Sequence, residues 1–156
     1  MGPPYLAQIA TFSGDFEPRG WLNCDGKLLP ISEFDTLFML IGTKYGGDGT
    51  TTFALPSLPD PIPGVKYVMA VEGMMPPSKE RPWVPDVMGF ALQWKAEPPR
   101  ETVRATGQLL PIQPNTALFS ILGNKFGGSK DAGTFALPNL GGDWIFCIAG
   151  VVPPRA

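Results

Sequence analysis

The chain has 156 residues, 44% of them hydrophobic and 11% aromatic, with a formal charge of −2 and no histidine. That much apolar side chain excludes a disordered polymer, and the length suits one good core or two small ones. The missing histidine removes Ser-His-Asp and Cys-His nucleophilic sites and the His-containing zinc sets, and no basic run offers a surface for nucleic acid.

In chain order, residues 5–12 (YLAQIATF) alternate loosely and predict a strand. A turn-rich loop with Gly14 and Pro18 follows. Asp25-Gly26 stands between two short apolar runs, at 21–24 and 27–29, and predicts a type I′ hairpin. Ser32 with Asp35 three residues on predicts a helix N-cap, and the apolar cluster Leu37, Phe38, Leu40, Ile41 predicts a short helix stopped at Gly42. Beyond it come the loop Gly46-Gly47-Asp48-Gly49 and the extended run Phe53-Ala54-Leu55-Pro56. Pro59, Pro61 and Pro63 forbid a helix across 58–64. Residues 66–73 predict a strand, and 78–85 (SKERPWVP) read as a linker.

The block 26–58 then returns at 107–140. From Gly26 to Gly47, 11 of 22 positions are identical to 107–128, which establishes an internal duplication. The offset is 81 residues through the double glycine and 82 at the phenylalanine of TFALP. Leu118, Phe119, Ile121 and Leu122 repeat the helical cluster, with Pro114 expected as a first helical residue and Gly123 as the stop. Residues 143–150 echo 66–73, and 87–94 echo 5–12. The Trp21, Cys24 and Asp25 positions have no like counterpart, facing Thr102, Ala105 and Thr106. The expected fold is α+β and loop-rich: two pseudo-equivalent lobes, each a few short β-strands with one short α-helix. Their bounds are 1–77 and 86–156, around a linker at 78–85.

Little in the chain is set up for bond-making. Asp15, Glu17, Asp25, Glu33 and Asp35 fall in loops, turns or caps, where a structural role is the default, although a carboxylate pair is all a glycosidase needs. The loop around Asp48 lacks the ending of a phosphate-binding loop, and its glycines suit turns with positive φ. No catalytic residue, metal or cofactor is expected. Lys44 and Lys125 recur in both Gly-rich loops, beside Tyr45 and Phe126, as solvated surface, helix-end caps or ligand contacts. Among the tryptophans, Trp94 and Trp144 align with Phe12 and Tyr67 and suit core or interface positions. Trp83, in the Pro-rich linker, is the expected exposed platform, with Trp21 as a further aromatic. Contacts to a partner or a glycan therefore fall on Trp83, Trp21, Lys44, Tyr45, Asp48, Lys125 and Phe126. Cys24 and Cys147 are two buried thiols or one bridge. No basic-plus-apolar secretion signal precedes the first strand, so work outside a cell requires lysis or a dedicated export route.

Pro18-Arg19-Gly20-Trp21-Leu22-Asn23-Cys24-Asp25-Gly26, Leu28-Leu29-Pro30-Ile31, Tyr45-Gly46-Gly47-Asp48-Gly49 and Thr52-Phe53-Ala54-Leu55-Pro56 together resemble the phage tail collar domain of short tail fibres and of the bacterial microcystin-dependent proteins. The second half resembles it over 107–140 and at its last strand, without the Pro-Arg-Gly-Trp portion. The resemblance implies a non-enzymatic structural subunit of a virion tail or extracellular appendage. Such a subunit self-associates as an oligomer or filament, or joins other tail or fibre proteins. The alternative is a glycan-binding, adhesive module at a fibre tip.

Overall fold

Short apolar runs separated by Gly and Pro can be stable only by pairing across the chain, and the structure, a computed structural model describing residues 4–76 and 83–154, pairs them in one arrangement used twice. The first half contributes β1 (Ile9–Phe12), β2 (Trp21–Asn23), β3 (Leu28–Pro30), α1 (Asp35–Ile41), β4 (Thr52–Ala54) and β5 (Lys66–Ala70). The second contributes β6 (Phe90–Gln93), β7 (Thr102–Thr106), β8 (Leu109–Pro111), α2 (Thr116–Leu122), β9 (Thr134–Ala136) and β10 (Asn139–Cys147). The expected linker at 78–85 falls largely outside the described residues.

The strands form one six-stranded sheet ordered β2-β5-β1-β6-β10-β7, plus two small ribbons, β3-β4 and β8-β9. The order is a triplet followed by its own reverse. Registers repeat residue for residue: Ile9 opposite Met69 becomes Ala91 opposite Phe146, and Thr11 opposite Tyr67 becomes Gln93 opposite Trp144. At the centre β1 and β6 run antiparallel, with Thr11 opposite Ala91 and Phe12 opposite Phe90. Continuing that register sets Ala10 against its own counterpart, Leu92. The sheet therefore has a half-turn of pseudo-symmetry about that pair, and the two halves share one continuous hydrogen-bonded layer. The protein is sheet-rich rather than α+β, because each helix is only seven residues long. Helices so short are marginal alone and depend on packing.

Strand residues alternate between the two faces of the sheet. On one face Leu37 of α1 packs with Leu29, Phe53, Leu55 and Met69, and Leu118 of α2 packs with Phe135, Leu137 and Phe146. The Phe38–Phe53 ring contact at 5.4 Å recurs as Phe119–Phe135 at 5.5 Å. Each fully buried phenylalanine here contributes on the order of 1.5–3 kcal/mol. Apart from Met69 and Phe146, which lie outside the blocks, these are the residues that the two blocks share, so the repeated sequence encodes the packing of helix on ribbon. The opposite face carries Ala10, Phe12, Trp21, Val68 and Ala70 against Phe90 and Trp83, a cluster built from both halves.

Several local expectations are corrected. Asp25-Gly26 is a corner and not a hairpin: β2 pairs with β5, whereas β3 pairs with β4, so the two runs enter different layers. The helices start later than Ser32 and Pro114 suggest, at Asp35 and Thr116, with Phe34 and Asn115 at the N-cap positions and no side-chain cap bond. Gly42 and Gly123 do stop them, at φ of 55° and 58°, each donating its N–H to the carbonyl of Phe38 or Phe119 at 2.7 Å. Cys24 and Cys147 are free, buried thiols, pushed up to about 11 by loss of hydration.

Candidate functional sites on the two units

A cleft of about 420 Å³ opens on the first unit, between the 12–17 loop, Asn23, Asp25, Lys27, Lys66 and Val68. It brings three of the loop carboxylates together, and each already has a cationic partner. Asp15 accepts from Lys125 Nζ at 2.8 Å. Glu17 Oε2 accepts from Lys27 Nζ at 2.9 Å and from the Asn23 N–H at 2.7 Å, and Asp25 lies 3.7 Å from the same lysine. Burial raises the Glu17 pKa, but the Asn23 N–H and Lys27 outweigh it, so the carboxyl is held below its ordinary range. A general acid at neutral pH needs the opposite shift. The cleft is an ion-paired polar surface with Phe12 and Phe16 in its wall.

The expected aromatic contacts divide. Trp83 is not an exposed platform: it is 5% exposed and its ring lies 5.4 Å from Trp21, itself 5% exposed and 4.7 Å from Phe90. The reason is the sheet. Phe12 and Phe90 meet at its centre, and the two indoles cover them from outside. Both rings are thereby withdrawn from surface contact in this conformation.

The other five residues lie in the two Gly-rich loops. Asp48 is exposed, and its carboxylate is turned inward on its own loop: Oδ1 accepts N–H bonds from Thr50, Thr51 and Thr52 at 2.8, 2.8 and 2.9 Å. Those N–H bonds, with the Thr51 hydroxyl, hold its pKa well below the usual carboxylate range. Ser129 takes its place in the second loop, accepting more weakly from Ala132 at 3.3 Å. Lys44 lies 5.7 Å from the Tyr45 ring, and Lys125 5.3 Å from the Phe126 ring.

The second loop and helix, however, reach across to the first unit. Lys125 bonds Asp15, Phe126 lies against Gly64, where a methyl would stand 3.3 Å from its ring, and Ile121 lies beside Phe12 and Gly14. Among the described residues, their counterparts Leu40, Lys44 and Tyr45 make no equivalent contact. Leu40 is 37%, Tyr45 41% and the neighbouring Met39 78% exposed. This difference could not be read from the two repeated blocks, because it lies in where each block sits on the sheet. Phe16 was also missed, since nothing in its local sequence separates it from a loop residue.

Two sheet triplets fused about a half-turn, with repeated helix-on-ribbon packing and surface loops held by their own hydrogen bonds, define a duplicated structural module. A family model of the phage tail collar domain matches residues 7–63 and again 86–145, and the chain belongs to that family. The membership carries a structural role in phage tail fibres and a place in the virion tail. No match was found among curated proteins or solved structures. Among the described residues, no helix is long and apolar enough to cross a membrane.

Proposed function

We propose that the chain is a structural subunit of a phage tail or phage-derived fibre, in which two collar units, 1–77 and 86–156 about a linker at 78–85, mediate contacts between subunits. The observation that carries this reading is a set of apolar side chains exposed at equivalent places in both units. Leu28 and Leu109 are each 60% exposed, and Met74 and Met75 in one unit stand where Val151 and Val152 stand in the other. Scattered exposed apolar residues are ordinary on a monomer. The same positions exposed twice, on a chain with two matching faces, suit repeated contact with neighbouring subunits. Light scattering and negative-stain electron microscopy of the purified chain test it: rings or filaments are expected, and a monomer at high concentration contradicts it.

The glycan-binding alternative moves away from the buried tryptophans to the polar cleft, where Phe16 stands beside Asn23, Asp25 and Lys27. Binding on a glycan array that Asp25→Ala abolishes would support it, and an array without hits would remove it.

A further inference from the structure

The half-turn that relates the units predicts a pair of contacts wherever it predicts one. α2 and its loop dock on the first unit through Ile121, Lys125 and Phe126, and the surface that receives them is Phe12, Gly14, Asp15 and Gly64. Carried through the repeat, the receiving surface on the second unit is Trp94, Ala96, Glu97 and Gly141, and the docking residues on the first are Leu40, Lys44 and Tyr45. The residue types are kept on both sides: an aromatic ring at the strand end, an acid three residues on, a glycine (Gly64 ahead of β5, Gly141 within β10 opposite Ala105), and opposite them an aliphatic residue, a lysine and an aromatic.

Within one chain this second contact is not made. The Trp94 indole N–H donates to the carbonyl of Glu97 at 3.1 Å, and the Arg104 guanidinium donates to the carbonyls of Trp94 and Ala96, so the receiving loop is folded back on its own unit. Between Phe135 and Asp143 the chain is also five residues shorter than between Phe53 and Lys66, lacking a counterpart of 59–63. Lys44 and Glu97 are both exposed and neither forms an ion pair with another described residue.

We infer that the open docking face of α1, at Leu40, Lys44 and Tyr45, binds the Trp94–Glu97 loop of a second copy of this chain, so that the contact made once inside each molecule is repeated between molecules. The occupant follows from charge and from continuity. Lys44 has no acid partner among the described residues, the Lys125–Asp15 pair shows an acid near an aromatic ring receiving the equivalent lysine, and Glu97 of the second unit is the equivalent acid left without an ion pair among the described residues. Donor and receiver are distinct patches, so the contact made in one direction is heterologous and adds copies head to tail, whereas the contact made reciprocally closes a two-fold dimer. The inference rests on the subunit-contact reading above and specifies one contact within it.

The test is sedimentation velocity of the full chain over a concentration series. The original chain should associate, Lys44→Glu and Glu97→Lys should each weaken association about tenfold or more, and the double exchange in one chain should restore it. Both positions are on the surface, so folding is not at issue, and far-UV circular dichroism checks it. A mixture of Lys44→Cys and Glu97→Cys chains, oxidised together, should give a disulfide-linked heterodimer, the two native thiols being buried. Association unchanged by Lys44→Glu overturns this contact and leaves the proposed function standing. A bond that forms only within a doubly substituted single chain also overturns it, because the contact then closes internally. A chain that stays monomeric at every concentration removes both.

Discussion

At the outer strand of the first unit, Trp21 lies buried against Phe90 and Trp83, and its edge is tied by Glu17 to Lys27 and the Asn23 N–H. At the outer strand of the second, Thr102 stands in its place, donating its hydroxyl to the carbonyl of Pro99 at 2.7 Å, and Arg104 binds the adjoining loop by its carbonyls. One corner is held by aromatic burial and the other by hydrogen bonds. The cause is what the half-turn sets beneath them. Trp21 packs on Phe90, whereas the residue equivalent to Phe90 in the other unit is Gln8, which offers no ring to cover. A duplicated chain keeps its shared interior and diverges where its copies meet unlike neighbours.

The largest test of that difference removes the ring at the junction. Phe90→Ala takes away the surface on which Phe12, Trp21 and Trp83 converge and should cost about 3–5 kcal/mol in chemical denaturation. Gln8→Ala, at the equivalent position, should stay within about 0.5 kcal/mol. Equal effects would mean that the corners are not built differently.

A second comparison concerns backbone. Ala7 and Glu101 hold positive φ, 70° and 67°, where their counterparts are Gly89 at 92° and Gly20 at 87°. Each unit thus carries a side chain at one place where the other has glycine. Ala7→Gly and Glu101→Gly should each raise stability by up to about 1 kcal/mol, relief of the left-handed backbone exceeding the added unfolded-state freedom. Gly89→Ala should lower it, because the new methyl would stand 2.9 Å from the Phe12 ring. Thermal melts of the three variants decide the signs.

The Lys125–Asp15 pair joins the units, but Asp15 is well exposed, so Lys125→Ala should cost no more than about 1 kcal/mol and less at high salt. The smallest effect is local. Asp48 has its pKa depressed in the folded state, so its contribution is present above the unfolded value, about 4, and is lost as pH falls through the folded one. Amide exchange followed into acid should loosen Thr50, Thr51 and Thr52, while Thr134 in the Ser129 loop shows no matching change. Parallel loosening of both loops would deny Asp48 its role.

Much of the architecture was legible because the repeated residues are the packed ones: Leu37 and Leu118, Phe53 and Phe135, Leu55 and Leu137. The helix stops and the duplication followed from the same blocks. What escaped was relational. Asp25-Gly26 carries a hairpin signal, but the strands beside it find better partners elsewhere in the chain. The Pro-rich surroundings of Trp83 signal exposure, yet the fused sheet places two phenylalanines where an indole can cover them. The contrast between Lys44 and Lys125 is invisible in sequence, because both lie in the same motif and differ only in what lies across the sheet.

The claim on which the account depends is that both units fold as one sheet through β1 and β6. Native-state hydrogen exchange on a Phe53→Ala variant tests it most directly. Amides of β9 and β10, in the untouched unit, should lose protection by the same free energy as those of β1 and β5. Protection lost only within the first unit, with the second exchanging as before, would contradict it.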